Sequence, residues 1–380
     1  MEDRQSKTLL WDSNAPVTLT GYGLQTALFA PQFRDLGWKV TINAPMSLTT
    51  APLSWKGMDM IGSAGDPMGC DMLPQRAGQY DLVISLRDAF GLFPCAQQLA
   101  GKRIVHWMPV DCEPMGERDI ATLRATGGIP VAMSRFGFEQ IRREGFDPLY
   151  APHGYDGRIF CPGDRMAFRN AVGVSPDTFV IGLAAVNKPD SRKGLDQQMQ
   201  AFAIFHQRHP DSVLFMHTPQ HGGWELNKIA LNLGIHNAII WPDQHNLASQ
   251  MIPNETMAAW YRSLNVLTLC SEAEGFGIPG LEAQACGTPI VSTRYSAMTD
   301  LNAMGWLVGG QRHWVGGHES WWMTPNVEEI AYRYEDAWES RGDPLISYQC
   351  VKFASGYEVT TVMDHYWIPA LEEIEARYAR

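Results

Sequence analysis

No run of about 18 apolar residues, the length needed to cross a bilayer as a helix, occurs anywhere in this 380-residue sequence. The first segment, MEDRQSKTLLW, also lacks the apolar stretch of a secretion signal, because charges stand where that stretch would be. A soluble, cytoplasmic chain without membrane insertion is the expectation. Basic charge is scarce: 30 Lys and Arg face 41 Asp and Glu, a net charge of −11, and residues 251–380 hold 8 basic against 17 acidic side chains. An extended nucleic-acid-binding surface depends on clustered cations neutralising phosphates, so it is disfavoured, although a local groove is not. The seven cysteines (Cys70, Cys95, Cys112, Cys161, Cys270, Cys286, Cys350) are odd in number and include no C-x-x-C pair, which reads as scattered reduced thiols. Short internal repeats and low-complexity tracts are missing too, and the 35 Gly and 24 Pro are spread along the chain.

What the chain does have is alternation. Short apolar runs at 8–11, 39–42, 81–86, 103–108 and 130–133 alternate with helix-like stretches, which predicts strand–helix–strand units on a parallel sheet. Ser134 stands as a cap before the apolar stripe Phe136, Ile141 and Phe146, and predicts a helix over 134–144. After Pro152-His153-Gly154-Tyr155-Asp156, the turn formers from Arg158 to Asp164 read as a linker. A second series follows, with strands at 179–186, 212–217, 238–241, 266–270 and 289–293 and helices at 195–207, 224–233, 255–264 and 278–286. Three helical segments close the chain, at 327–340, 344–354 and 362–380. At roughly 150 residues per domain the length fits two domains. The fold class is therefore α/β: two Rossmann-like domains, 1–155 and 156–355, with a cleft between them.

Chemistry concentrates in Ser271-Glu272-Ala273-Glu274-Gly275-Phe276-Gly277-Ile278-Pro279-Gly280-Leu281-Glu282-Ala283. This segment leaves a buried strand, turns on glycines and opens a helix, with Pro279 in the first turn where a missing N–H costs nothing. Such a helix start offers unpaired donors and partial positive charge to a phosphate. Glu274 and Glu282 flank it. They could accept hydrogen bonds from the hydroxyls of a ligand whose phosphate lies between them, as in a sugar nucleotide; alternatively they are acids favoured by the helix dipole.

The E-x7-E spacing of Glu274 and Glu282, within EGFGIPGLEA-x-A-C-G-T-P, resembles the donor-site motif of family-4 retaining glycosyltransferases of the GT-B fold. The resemblance implies that Glu274 contacts the transferred sugar and Glu282 the ribose hydroxyls. It also implies that Phe276, Gly277 and Ile278 present backbone N–H groups to the diphosphate. Thr20-Gly21-Tyr22-Gly23 resembles the family's amino-terminal glycine loop, so Gly21 and Gly23 are donor-binding candidates. Pro152, Gly154, Asp156, Phe160 and Pro162 are similar to its interdomain stretch. Asn187 through Gly194 resembles the basic phosphate motif, with Lys193 in place to neutralise the departing diphosphate, Asn187 where an arginine is usual, and Lys188 or Arg192 as its substitute. Arg294-Tyr295-Ser296-Ala297 stands where relatives carry a glycine pair. The strand running into Asp111 ends in a polar loop, which makes Asp111, His106 and Glu113 candidates to face the reacting sugar.

The activity implied is transfer of a sugar from a nucleoside-diphosphate sugar, with UDP favoured by frequency among relatives, to an acceptor hydroxyl with retention of configuration. No aspartate has another two positions on, so the D-x-D metal signature of the other main glycosyltransferase fold is missing. Independence of metal and of any cofactor is expected. The resemblance also implies that the terminal helix, about 360–380, crosses back to the amino-terminal domain. The acceptor stays open among a small molecule, a protein hydroxyl and a hydroxylated DNA base. An epimerase or phosphorylase of the same architecture, and a non-catalytic sugar-nucleotide-binding protein, are the alternative readings.

Overall fold

The computed structural model describes residues 7–47 and 52–380, so the charged segment through Ser6 lies outside the described residues. Two compact units divide the chain: residues 1–154, 317–320 and 359–380 form one, and residues 155–316 and 321–358 the other.

The first unit is built on eight strands: β1 (Thr8–Asp12), β2 (Lys39–Asn43), β3 (Leu53–Trp55), β4 (Met58–Ile61), β5 (Leu82–Leu86), β6 (Ile104–Met108), β7 (Ile129–Ala132) and β8 (Leu149–Tyr150). Their order is β3-β4-β2-β1-β5-β6-β7-β8, parallel throughout except for β3 against β4. β5 and β6 are buried at every position, which is why LVISL and IVHWM read as continuous rather than alternating apolar runs. The β3–β4 hairpin was not foreseen. It turns on Lys56 and Gly57, both at positive φ, a two-residue turn whose flanking strands are too short to show a period.

Thr20 caps the helix Gly21–Asp35, which lays Phe29 and Phe33 on the sheet. There they meet an aromatic core: Trp107 lies edge-on to Trp11 (6.0 Å), Phe29 (5.1 Å) and Trp367 (4.9 Å), and Phe33 touches Trp367 at 5.2 Å. Trp367 comes from the far end of the sequence, where the expected single helix is divided into Val359–Val362, a wider π turn at Met363–Trp367 and Ile368–Ala379. Tyr378 donates to the Ile104 carbonyl at 2.6 Å, and Glu375 pairs with Arg103 at 2.9 Å. The carboxy-terminal segment is thus part of the first unit's core.

The second unit holds β9 (Phe179–Ala184), β10 (Ser212–His217), β11 (Ile239–Ile240), β12 (Val266–Leu269), β13 (Ile290–Thr293) and β14 (Leu307–Val308), in the all-parallel order β11-β10-β9-β12-β13-β14. Helices Leu195–Arg208 and Val327–Glu339 pack on it through Phe202, Phe205, Ile330 and Tyr334, all fully buried. A separate two-stranded hairpin, β15 (Gly310–Val315) and β16 (Ser320–Pro325), follows β14. Its strands, GQRHWV and SWWMTP, mix Arg, His and Thr with tryptophans and show no regular alternation of apolar and polar residues. No helix among the described residues is long and apolar enough to cross a membrane.

Candidate functional site

Two loops of the second unit come together at the carboxyl ends of β9 and β12. Gln198, buried in the helix Leu195–Arg208, holds them in place: its Oε1 accepts from Thr268 Oγ1 (2.8 Å) and the Cys270 amide (3.1 Å), while its Nε2 donates to the carbonyls of Lys193 (2.8 Å) and Gly194 (3.2 Å). Gly194 takes φ +54° as it enters the helix, and a Cβ there would lie 2.4 Å from the Cys270 carbonyl oxygen. Only glycine lets the lysine-bearing loop run this close to the strand end.

Lys193 and Arg192 converge on Glu274. Lys193 Nζ lies 2.5 Å from Glu274 Oε1, Arg192 Nη1 lies 3.5 Å from Oε2, and Ser271 Oγ donates to Oε1 at 2.7 Å. Burial by itself would push this carboxyl up, but Lys193, Arg192 and the Ser271 hydroxyl outweigh it and hold Glu274 below the ordinary carboxyl range. The Glu274 amide donates to Ser296 Oγ at 2.9 Å, and Ser296 sits at φ +52°. Where a glycine pair was expected, a serine therefore adopts the left-handed conformation and braces the motif loop with its hydroxyl.

The loop ends at Gly277, which caps the helix Ile278–Ala285, with Pro279 in its first turn. The Gly280 amide donates to the Gly277 carbonyl at 3.0 Å, and the helix start carries the partial positive charge of the helix dipole. Phe276 is buried and lies 6.1 Å from the Tyr357 ring. One turn on, Glu282 accepts from Tyr261 Oη at 2.9 Å. Burial pushes the Glu282 carboxyl up to about 8, against the lowering effect of that hydrogen bond. The two acids of E-x7-E thus stand in opposite states, Glu274 ionised and ion-paired, Glu282 largely protonated at neutral pH.

Three of the candidate residues are engaged within the fold. The Asn187 side chain is fully engaged: its Nδ2 donates to the carbonyls of Pro219 (3.0 Å) and Trp224 (2.8 Å), and its Oδ1 accepts from the Trp224 amide (2.9 Å). It braces the loop 219–224. Gly23 donates its amide to the capping Thr20 Oγ1 at 3.1 Å, and a Cβ on it would lie 2.3 Å from Thr18 O, so it is closely packed at a helix start. Gly21 is exposed as the first residue of that helix. His106 is inside β6, 1% exposed, with Nε2 3.0 Å from Thr126 Oγ1. Burial, reinforced by the Arg87 charge, lowers its pKa to about 4, so it is a neutral core histidine. Asp111 is on the partly exposed loop after β6.

Sequence reasoning missed several participants. Asp119 accepts the Phe90 amide at 2.7 Å and is pushed up to about 7, first by burial and further by Asp88 and Asp111. Gln198 and Tyr261 gave no signal either, because each works through hydrogen bonds between segments distant in sequence. A groove of about 690 Å³ lined by Gly310, Gln311, His313, Thr324, Asn326 and Glu329 contains none of the motif residues. Among the described residues, no group of three or more His, Cys, Asp or Glu is placed to hold a metal ion.

Two Rossmann-like units, with the chain's last segment returned to the first, define the GT-B class of glycosyltransferase fold. Residues 177–311, which contain both loops, match the family glycosyl transferases group 1. Over 98% of its length the structure is similar to sucrose-phosphate synthase from Thermosynechococcus elongatus (TM-score 0.71, 15% identity, 98% of that chain). It is equally similar to HepE of Anabaena in complex with UDP-glucose (TM-score 0.71, 17% identity, 98% of this chain and 99% of that one). These likenesses establish the fold. In sequence, the chain resembles D-inositol 3-phosphate glycosyltransferases: that of Kribbella flavida is 34% identical over 155 residues, 38% of this chain and 34% of the relative. That of Pseudarthrobacter chlorophenolicus is 30% identical over 184 residues, 46% and 42%. The match therefore spans less than half the length of these curated relatives.

Proposed function

We propose that this chain transfers a hexosyl group from a UDP-sugar to an acceptor hydroxyl, with retention of configuration and without a metal ion. The observation that carries the reading is the convergence of Lys193 and Arg192 on Glu274 beside the helix start at Gly277. This arrangement supplies cations and backbone donors for a diphosphate next to a carboxylate for sugar hydroxyls. The complex of the Anabaena relative with UDP-glucose supports the donor class. The curated relatives, named for an inositol phosphate acceptor, support a small polyol hydroxyl as the acceptor.

In this mechanism the bond between the anomeric carbon and the diphosphate oxygen breaks as the acceptor oxygen approaches from the same face. The acceptor proton passes to the leaving phosphate. Negative charge grows on the diphosphate, where Lys193, Arg192 and the amides of Phe276, Gly277 and Ile278 stabilise it without reorganisation. With Asn187 committed to its own loop, Arg192 is the second cation on the phosphates. Glu274, released from Lys193 when the phosphate takes that lysine, accepts hydrogen bonds from the sugar, and Glu282 accepts them from the ribose. Asp111, on the first unit, is the candidate polar group on the acceptor side.

UDP release from UDP-glucose in the presence of myo-inositol and its monophosphates tests the reading. Wild type should turn over and Lys193→Ala should lose about 10²–10³ in kcat, the usual cost of removing a charge-stabilising donor. Equal rates for the two proteins would refute it.

A further inference from the structure

Glu272 is 2% exposed, carries no role in the transfer just described, and is the side chain that joins three separate pieces of the second unit. Its Oε2 accepts from Ser191 Oγ at 2.7 Å and its Oε1 from Thr324 Oγ1 at 2.8 Å. Its own backbone continues the joint: the Glu272 amide donates to the Arg192 carbonyl at 2.7 Å, and the Glu272 carbonyl accepts from the Met323 amide at 3.2 Å. His313 Nε2 is 3.8 Å from Oε2 and its Nδ1 is 3.1 Å from Thr324 Oγ1. The loop that carries Arg192 and Lys193, the motif loop that carries Glu274, and the β15–β16 hairpin all meet on this one carboxylate.

A buried carboxylate next to a diphosphate site is costly, because it repels the ligand it adjoins and loses its own hydration. Two hydroxyls and the His313 ring nitrogen at 3.8 Å are a modest exchange for that hydration. The bonds it makes point to a positioning role: each oxygen receives one hydroxyl, one from the loop that carries Arg192 and Lys193 and the other from the β15–β16 hairpin. We propose that Glu272 is a positioning residue of the donor site. It acts through Ser191 to fix the 191–193 loop, so that Arg192 and Lys193 stand ready for the diphosphate, and through Thr324 to tie that loop to the β15–β16 hairpin. Donor affinity is thereby coupled to the hairpin. This inference rests on the donor reading given above.

The test uses the full chain with UDP and UDP-glucose as probes, on wild type, Glu272→Ala, Glu272→Gln, Ser191→Ala and Thr324→Ala. In Glu272→Ala the dissociation constant for UDP and the KM for UDP-glucose should both rise about tenfold, with kcat changed less than threefold. Glu272→Gln should return both to within threefold of wild type, since its oxygen accepts one hydroxyl and its amide can donate to the other. Ser191→Ala should reproduce most of the effect and add little to Glu272→Ala, as expected of residues in one network. Amide hydrogen exchange at 191–194 in the free protein should quicken about tenfold in Glu272→Ala, a readout that needs no nucleotide. Unchanged UDP affinity in a folded Glu272→Ala protein would overturn the proposal. If Glu272→Ala does not fold, wild-type affinity in both single hydroxyl variants would overturn it equally. Failure of wild type itself to bind any nucleotide would defeat the donor reading, and with it this role, while the exchange data would still show whether the clamp exists.

Discussion

Lys193 Nζ and Glu274 Oε1 are 2.5 Å apart, both side chains less than a fifth exposed, and they belong to loops separated by 81 residues. In the free protein the cation proposed for the diphosphate is thus held by the carboxylate proposed for the sugar. Removing one member of a buried pair strands the other's charge, at a typical cost of about 3–5 kcal/mol. Lys193→Met should fall at the low end of that range, because Arg192 remains 3.5 Å from Glu274. The pair's contribution has a definite pH sign. Glu274 titrates below the ordinary carboxyl value of 4.5 in the folded state, so its stabilisation is complete above that pH and fades as pH falls through the folded value. Urea unfolding at pH 7 and pH 3 should show a wild-type advantage over Lys193→Met at the first that shrinks at the second.

Glu282 has the opposite sign. Its carboxyl is pushed up to about 8 by burial, so between pH 4.5 and about 8 the folded protein holds a proton that the unfolded chain has released. Stability should therefore drop as pH rises through this window. Glu282→Gln should flatten the dependence. A carboxylate that accepts two ribose hydroxyls must first lose that proton. UDP binding near pH 7 should release protons, visible by calorimetry in buffers of differing ionisation enthalpy, and the release should vanish in Glu282→Gln.

Asn187→Ala separates a structural brace from a phosphate ligand. Two hydrogen bonds to carbonyls and one from an amide disappear with the side chain, and buried groups left unsatisfied cost about 1–3 kcal/mol each. The melting temperature should fall by several degrees, while KM for the donor, measured well below the new transition, stays within threefold of wild type.

Trp367→Ala tests the return of the chain to the first unit. Trp367 is fully buried against Trp107 and Phe33. Its truncation should destabilise the protein by about 3–5 kcal/mol, as large aromatic deletions in cores do. Denaturant unfolding followed by tryptophan fluorescence gives the measurement.

The order of elements was legible because parallel strands buried on both faces leave uninterrupted apolar runs, as in LVISL, IVHWM and VLTL. The motif loop was legible for a related reason: Gly277, Pro279 and the two glutamates are set by a local turn and a helix start. What escaped was long-range. The β15–β16 hairpin has no apolar period, and the Glu272, Gln198 and Ser296 bonds join residues that only folding brings together. The surroundings of Asn187 and His106 were not legible, because a residue name at a motif position does not reveal which neighbours have already taken its hydrogen-bonding groups. Asn187 is taken up by Pro219 and Trp224, and His106 by the interior around Thr126.

The most direct measurement is a thermal-shift panel with UDP-, GDP-, ADP- and dTDP-sugars on wild type and Glu282→Ala. A ligand at about 100 times its dissociation constant adds roughly 2.7 kcal/mol to native stability, enough for a shift of a few degrees. A donor site predicts that a UDP-sugar raises the melting temperature of wild type and that the shift is lost in Glu282→Ala. Absence of a shift with all four nucleotide classes, or an equal shift in the variant, would contradict it.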